Sequence, residues 1–310
     1  MKILLTGGSG YIGSSVIKRL GGRFSFASPE SIKWVNFDIK EKKKDDVRNL
    51  SRLLDAVKGV DGVVHLAAIS RPKWGFQDPL TCLDTNIRGT FNVLEAVRLK
   101  NPKAWVILGS SREVFGNLKY SGKETSPRNP RNAYAVSKCA GEDLLKQYAE
   151  NYGLSCLTIR FCGVYTGRDD ILDRVIPRFI NQARRGAPIT IEGDGKKKYD
   201  FVYIDDAVDG IARAIRFISS KPKGFYDDIT LSRQKPTSLL KLAKLIMKLT
   251  RSRRRIIFQK NRSYDQDNFW GSFAKAKRLL GWSPKISLHE GLIRSIEELK
   301  PIVNRRSYIK

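Results

Sequence analysis

The feature that most constrains this 310-residue chain is its N-terminal stretch. Lys2–Thr6 is a short apolar run that reads as a buried strand. It passes straight into Gly7-Gly8-Ser9-Gly10-Tyr11-Ile12-Gly13, and then into residues at helical spacing as far as Leu20. Strand, glycine loop and helix, in that order, are the context a dinucleotide-binding turn needs. Gly7 permits the tight turn, Gly10 lets backbone approach a pyrophosphate, and Gly13 lets helix pack on strand. Free N–H groups in the first turn of the helix would then face phosphates.

The rest of the first half keeps that rhythm. A second strand is expected at Phe24–Ala27, and it should end in an acid that holds ribose hydroxyls. Ala27-Ser28-Pro29-Glu30 has no such acid in place, or has it displaced onto Glu30, which weakens the exclusion of a 2′-phosphate: NAD is the leading expectation and NADP stays open. Trp34–Phe37 reads as the third strand, followed by Asp38-Ile39. A helix near Asp46–Val57 leads to a strand Gly62–Leu66 and the small-residue turn Ala67-Ala68. Asp84–Ala96 reads as a long helix in which Asn86 ties neighbouring backbone together. Trp105–Leu108 is a strand that delivers Ser110 and Ser111 at its carboxyl end, where open α/β sheets bind ligands. Helix Tyr134–Tyr152 and strand Ser155–Arg160 follow. The alternation predicts a Rossmann-type doubly wound parallel sheet over residues 1–165. Beyond it, shorter elements predict a smaller α/β lobe over 166–310, interleaved with the first.

Tyr134 and Lys138 stand four apart at the start of their helix, so both can lie on one face. A phenol, with an ordinary pKa of roughly 10, is a poor base near neutrality. An ammonium beside it would lower that value, and the Ser111 hydroxyl would complete a relay for moving a proton on or off an alcohol.

Composition narrows the partners. Lys and Arg number 58 against 31 Asp and Glu, a net charge of +27. Such a surface attracts nucleic acid, anionic lipid or phosphorylated ligands. Yet the charge is spread, and the densest runs, Lys196–Lys198 and Arg251–Arg255, lack the interleaved aromatics of a single-strand platform. This speaks against nucleic acid. No apolar run is long enough for a membrane span. Cys82, Cys139, Cys156 and Cys162 form no CxxC pair and predict buried thiols in a cytoplasmic protein, with no metal site.

Taken in order, TGGSGYIG at Thr6–Gly13, FDI at Phe37–Ile39, HLAA at His65–Ala68 and NIRGTFNVLEA at Asn86–Ala96 resemble a known pattern. SSREVFG at Ser110–Gly116, YAVSK at Tyr134–Lys138, FVYIDDA at Phe201–Ala207 and LGWSP at Leu280–Pro284 continue it. Nearly the whole chain resembles the extended short-chain dehydrogenase/reductases, the NAD-dependent epimerase/dehydratases that act on nucleotide sugars. The resemblance implies NAD(P) cradled by Gly7, Gly10, Tyr11, Ile12 and Gly13. Asp38 and Ile39 would sit at the adenine, with Leu66, Ala67, Ala68, Asn86, Phe161 and Lys138 along the rest of the cofactor. Ser111, Tyr134 and Lys138 would be the catalytic set. It also implies a homodimer through Pro79–Lys100 and Tyr134–Tyr152.

The chain departs from the family on the substrate side. Gly163 takes the place of an Asn, and Tyr199 that of an Arg that grips diphosphate. Asn268–Ser272 replaces a late Asp/Arg-rich stretch. Arg174 and Lys196–Lys198 are the cations expected to compensate. Glu113 stands where a dehydratase or decarboxylase uses a carboxylate, but Arg112 precedes it, and the two are equally expected to pair. The residues together predict an NAD-dependent epimerase that acts at C4 of a UDP-linked sugar through a transient 4-keto sugar. An NADP-dependent 4-keto-sugar reductase and a dehydratase or decarboxylase using Glu113 remain as alternatives. A non-catalytic cofactor-sensing or nucleic-acid-binding protein is the remote one.

Overall fold

The computed structural model describes residues 1–21, 32–118, 121–166, 170–261 and 268–299. β1 (Lys2–Thr6) leads through the glycine loop into α1 (Tyr11–Leu20), and then come β2 (Lys33–Phe37), α2 (Leu50–Ala56) and β3 (Gly62–His65). Two short helices, α3 (Pro72–Gln77) and α4 (Pro79–Leu83), precede a π-helical turn at Asp84–Arg88 that runs into α5 (Gly89–Lys100). β4 (Trp105–Ser111), α6 (Ala133–Tyr152) and β5 (Cys156–Phe161) follow. The later elements are β6 (Gly163–Tyr165), α7 (Val175–Arg184), β7 (Ile189–Glu192), β8 (Lys198–Tyr199), β9 (Phe201–Tyr203), α8 (Ile204–Ser219) and β10 (Tyr226–Leu231). β11 (Thr237–Ser238), α9 (Leu239–Thr250), β12 (Ile256–Gln259), β13 (Asn268–Phe269), α10 (Ala274–Leu280) and α11 (Leu288–Glu298) complete the described chain.

The main sheet has six parallel strands in the order β10-β5-β4-β3-β1-β2. Both of its faces are covered, which is why the middles of β1 (Ile3, Leu4, Leu5) and of β3 (Val63, Val64) are apolar and fully buried. Ile3, Leu5, Val64 and Ile107 point to one side and pack with α1 and α8, while Leu4, Val63 and Val106 point to the other and pack with α2, α5 and α6. The period-two alternation of side chains splits one strand between two cores. β10 and α8 come from the second half of the chain, yet one extends the sheet and the other covers it.

One expectation is corrected here. Phe24–Ala27 and Glu30 lie outside the described residues, but Lys33–Phe37 pairs directly with β1, from Lys2↔Lys33 to Thr6↔Phe37. It therefore occupies the second strand's place in the sheet, beside β1, and not a third strand's. The acidic residue that follows the strand beside β1 is Asp38. The strand expected at Tyr199–Tyr203 is also two: β8 pairs with β11 and β13, and β9 pairs with β6.

Candidate active site

A cavity of about 970 Å³ opens at the carboxyl ends of β1, β3, β4 and β5, walled on its far side by α7, β7 and β8. This is the edge at which open parallel sheets bind ligands, and the volume is at the upper end for a small-molecule site.

The glycine loop forms its floor. Gly7 has φ +75°, and a Cβ there would meet the Ala67 nitrogen at 2.5 Å; one on Gly13 would meet the Gly7 carbonyl oxygen at 2.2 Å. Those two glycines are required by the chain's own packing. A Cβ on Gly10 would meet only the Gly7 oxygen, at 3.1 Å. Gly10 is also the residue that precedes α1, and no side chain caps that helix. Its first-turn N–H groups therefore stay available at the cavity floor, a fit for pyrophosphate oxygens. Asp38, at the end of β2, accepts from the backbone N–H of Ser9 (3.0 Å) and of Lys40 (2.8 Å), which aims a carboxylate at the loop. Ile39 also lines the cavity but is 55% exposed. Asp45, Asp46, Val47 and Arg48 line the same end, a segment that the sequence reading left out. Leu66, Ala67, Ala68, Tyr11, Ile12 and Phe161 all reach the cavity.

Asn86 is not among the lining residues. It is buried behind them, where it accepts from Ile69 N–H (2.8 Å) and donates to the Ile69 carbonyl (3.0 Å) and the Ser137 hydroxyl (2.8 Å). Its work is to fix the loop after β3 against α6, and the expectation of cofactor contact is corrected to that.

Ser111, Tyr134 and Lys138 converge on the cavity, each less than a tenth exposed. Asn132 caps α6 by accepting from Ala135 N–H (2.8 Å), which sets the start of the helix and hence the position of Tyr134. Tyr134 and Ser111 share a hydrogen bond. The Lys138 ammonium donates to the Gly109 carbonyl at 2.8 Å and lies 5.9 Å from the Tyr134 ring centroid. A buried network braces this set: Ser110 donates to Glu142 (2.6 Å), and Glu142 accepts twice from Arg160 (2.9 and 2.8 Å), tying β4, α6 and β5 together.

The electrostatics differ from the simple expectation. Burial pushes the Tyr134 phenol above its ordinary value, and the hydrogen bond to Ser111 offsets only part of this. Burial also pulls the Lys138 ammonium down to about 8. Desolvation of both groups thus outweighs the help that Lys138 was expected to give Tyr134.

On the substrate side, Glu113, Gly163, Arg174 and Tyr199 all line the cavity. Glu113 pairs with Arg112 Nη2 at 3.0 Å. Gly163 is needed for close packing, since a Cβ would come within 2.9 Å of the Asp200 carbonyl oxygen. Arg174 donates to Asp170 (2.8 Å) and to the Val164 carbonyl (2.6 Å), and it stacks on Tyr11 at 4.8 Å. Lys196–Lys198 do not line the cavity: Lys196 pairs outside it with Asp194 at 3.7 Å. The expectation that they compensate at the cavity is corrected; of the cations named for that role, Arg174 lines it. The sequence reading missed Arg178, whose two Nη atoms grip Glu192 at the cavity wall. The only signal was an arginine on the amphipathic helix α7. Of the cysteines, Cys82, Cys156 and Cys162 are buried and Cys139 is half-buried; all four are free thiols.

A parallel sheet with a glycine-loop cradle and a Ser–Tyr–Lys set at its carboxyl edge defines a dinucleotide-dependent enzyme of alcohol and ketone chemistry. The chain belongs to the NAD dependent epimerase/dehydratase family, whose sequence model matches residues 3–227. It is 31% identical to an uncharacterized UDP-glucose epimerase of Bacillus subtilis, over 97% of this chain and 99% of that one. The UDP-glucose 4-epimerase of Thermotoga maritima, solved with UDP-glucose, superposes with a TM-score of 0.84 at 26% identity, covering 96% of this chain and 98% of that one. The UDP-glucuronic acid 4-epimerase of Bacillus cereus, solved with UDP-glucuronic acid and NAD, gives 0.80 at 28% identity over the same shares.

Proposed function

We propose that this protein is an NAD-dependent nucleotide-sugar epimerase that inverts C4 of a UDP-linked hexose through a transient 4-keto sugar. The observation that carries the reading is the convergence of buried Ser111, Tyr134 and Lys138 at the edge of a cavity whose floor is an uncapped helix start. The likeness to epimerases solved with UDP-sugars supports the substrate class. When bound, NAD supplies the acceptor and donor of a hydride. Gly7, Gly10, Tyr11, Ile12 and Gly13 would hold its pyrophosphate, Asp38 its adenosine ribose, and Ala67, Ala68 and Phe161 the walls of its site. Tyr134 takes the C4 hydroxyl proton and later returns it. Ser111 holds the reacting oxygen, and Lys138 stabilises the phenolate once the site is closed to water. Glu113, held by Arg112, orients the sugar end, while Arg174 and Tyr199 lie toward the diphosphate.

The test is incubation with UDP-glucose and separation of the sugars formed. Interconversion with its C4 stereoisomer without net change of NAD supports the epimerase. Stoichiometric consumption of NADPH with a keto-sugar would replace it by a reductase, a 4-keto-6-deoxy sugar from UDP-glucose by a dehydratase, and release of CO2 with a pentose from UDP-glucuronate by a decarboxylase. Tyr134→Phe should lower turnover by roughly 10²–10⁴-fold while NAD stays bound. Near-normal turnover in that variant would remove Tyr134 from the chemistry.

We also place the protein in the cytoplasm, where four free thiols are at home. A homodimer is proposed through α4, α5 and α6, on which Leu80, Phe91, Leu99, Val136 and Tyr152 are exposed. Light scattering giving a monomer mass would discard that assembly.

A further inference from the structure

The basic run Arg251–Arg255 has no task in the chemistry above. It follows α9, whose buried face is Leu239, Leu242, Ala243 and Ile246. The other face carries Lys241, Lys244 and Lys248, all exposed, and Arg251 continues the row. Spacings of three, four and three residues keep these four on one side of the helix, ~4.5–6 Å apart along its axis. No Asp or Glu interrupts residues 239–255. At its end the row opens into a cleft of about 490 Å³, lined by Arg251, Arg253 and Arg254 and, from α7, by Arg184, with no acidic residue in its walls. Arg184 is seated there by donating to the Leu299 carbonyl. Among the described residues none of these cations meets a carboxylate, unlike the arginines of the catalytic cavity. None of them lines that cavity.

The helix end does not consume the arginines. The Arg251 N–H answers the Lys248 and Met247 carbonyls, and the Ser252 N–H donates to Met247 as well, at 2.9 Å. Arg251 itself stands at φ +55°, a left-handed conformation in which helices commonly end on glycine. An arginine there costs the fold what glycine would not. We propose that α9 and the cleft form one track that binds a linear phosphate polymer without bases. A row of ammonium groups matches a chain of regularly spaced charges, and the guanidinium forks of the cleft grip phosphate oxygens in pairs. From residue 239 to 255 no aromatic ring offers a surface on which bases could stack, so the track reads backbone charge alone. An anionic bilayer is a poorer match, because α9 spends its apolar face in the core and the cleft is concave.

Fluorescence anisotropy of end-labelled inorganic polyphosphate would be measured with wild type and three variants. One combines Lys241→Gln, Lys244→Gln and Lys248→Gln. Another combines Lys42→Gln, Lys43→Gln and Lys44→Gln, which removes the same charge from a different exposed stretch. The third is Arg251→Gly, and a melting curve for each checks folding. The α9 triple variant should bind roughly tenfold or more weakly and the Lys42–Lys44 variant within about twofold of wild type, with affinity falling steeply as salt is added. Arg251→Gly should melt no lower than wild type and still bind roughly threefold more weakly, a loss that damage to the fold cannot explain. Equal losses in the two triple variants would overturn the inference, by reducing it to net charge. Wild-type affinity in Arg251→Gly, or no binding by wild type, would also overturn it. Stronger binding of polyuridylate than of polyphosphate of equal charge would replace the track by a nucleic-acid site. Preference for polyglutamate would replace it by an acidic-protein site, and preference for phosphatidylglycerol vesicles by a membrane site.

Discussion

The two walls of the cavity are built on different principles. On the cofactor side the recognition surface is backbone: a left-handed Gly7, a Gly13 with no room for a Cβ, and an uncapped helix start. On the substrate side it is side chain, and each cation brings its own carboxylate: Arg112 with Glu113, Arg174 with Asp170, Arg178 with Glu192. A chain carrying +27 overall therefore presents a locally balanced wall to its substrate. The difference teaches where tolerance lies. Backbone recognition fails sharply when a side chain is added, whereas paired cations can be exchanged for other pairs without rebuilding the fold.

Glycine substitutions test the first half of that comparison and should give the largest effects. Gly13→Ala puts a methyl 2.2 Å from a backbone oxygen, which cannot swing away. It should cost about 3 kcal/mol, a fall in melting temperature on the order of 10 °C. Gly10→Ala meets only the Gly7 oxygen at 3.1 Å and should melt near wild type, yet bind NAD at least tenfold more weakly, since its methyl would intrude where the proposed function puts the pyrophosphate. Wild-type NAD affinity in Gly10→Ala would show that the phosphates lie elsewhere.

The second effect in size concerns the other side. Glu192→Gln leaves Arg178, gripped by that carboxylate at both Nη atoms, with a half-buried charge. It should destabilise by about 2 kcal/mol, and Arg178→Met in the same chain should restore part of the loss. Chemical denaturation of the three variants measures this. Additive losses would mean that the pair is not coupled, and that the substrate wall is no more tolerant than the cofactor wall.

The two halves also differ in how legible they were. Backbone demands are written locally, so Gly7, Gly10 and Gly13 could be placed from spacing alone, as could Tyr134 and Lys138 on one helical face. Pairing between strands is not local. Nothing near Trp34 tells that its strand pairs directly with β1, and so an acid after the strand beside β1 is expected near Ala27 and not at Asp38. Asn86 was legible as a polar residue in a helix but not as one turned behind the wall, because its partners Ile69 and Ser137 lie on other elements. Lys196–Lys198 adjoin Tyr199 in sequence, yet Tyr199 lines the cavity and none of the three lysines does. Of the substrate-wall pairs, Arg112–Glu113 and Arg174–Asp170 are local, whereas Arg178 on α7 meets Glu192 on β7, and sequence spacing does not carry that.

A third, smaller effect sits at the seam. Lys138 has its ammonium held down to about 8 by burial, against 10.5 ordinarily. Between those values the unfolded chain binds more protons than the folded one, so the lysine's contribution to stability rises with pH across that window. Below about pH 8 the penalty is constant; above about 10.5 it is gone. In Lys138→Met the rise should vanish, and wild type should gain on the variant as pH climbs from about 8 to 10.5. Parallel profiles would mean that Lys138 keeps its ordinary pKa and that the site is wetter than its geometry implies.

The smallest effect belongs to the tie across the mouth of the cavity. Asp173, just before α7, accepts from Arg71 and from Lys73 (3.0 Å), which follow β3 and so belong to the cofactor side. The carboxylate is 41% exposed, so two cations on it are worth little in water. Asp173→Asn should cost at most about 1 kcal/mol at low salt, and the difference should shrink toward zero as added salt screens the charges. If it persists at high salt, the tie is a desolvated clamp, and the two walls meet through side-chain electrostatics at the mouth. If it fades, they are joined from beneath, where β10 and α8 from the later half build the sheet and its cover. The mouth is then free to part for substrate without loosening the backbone cradle.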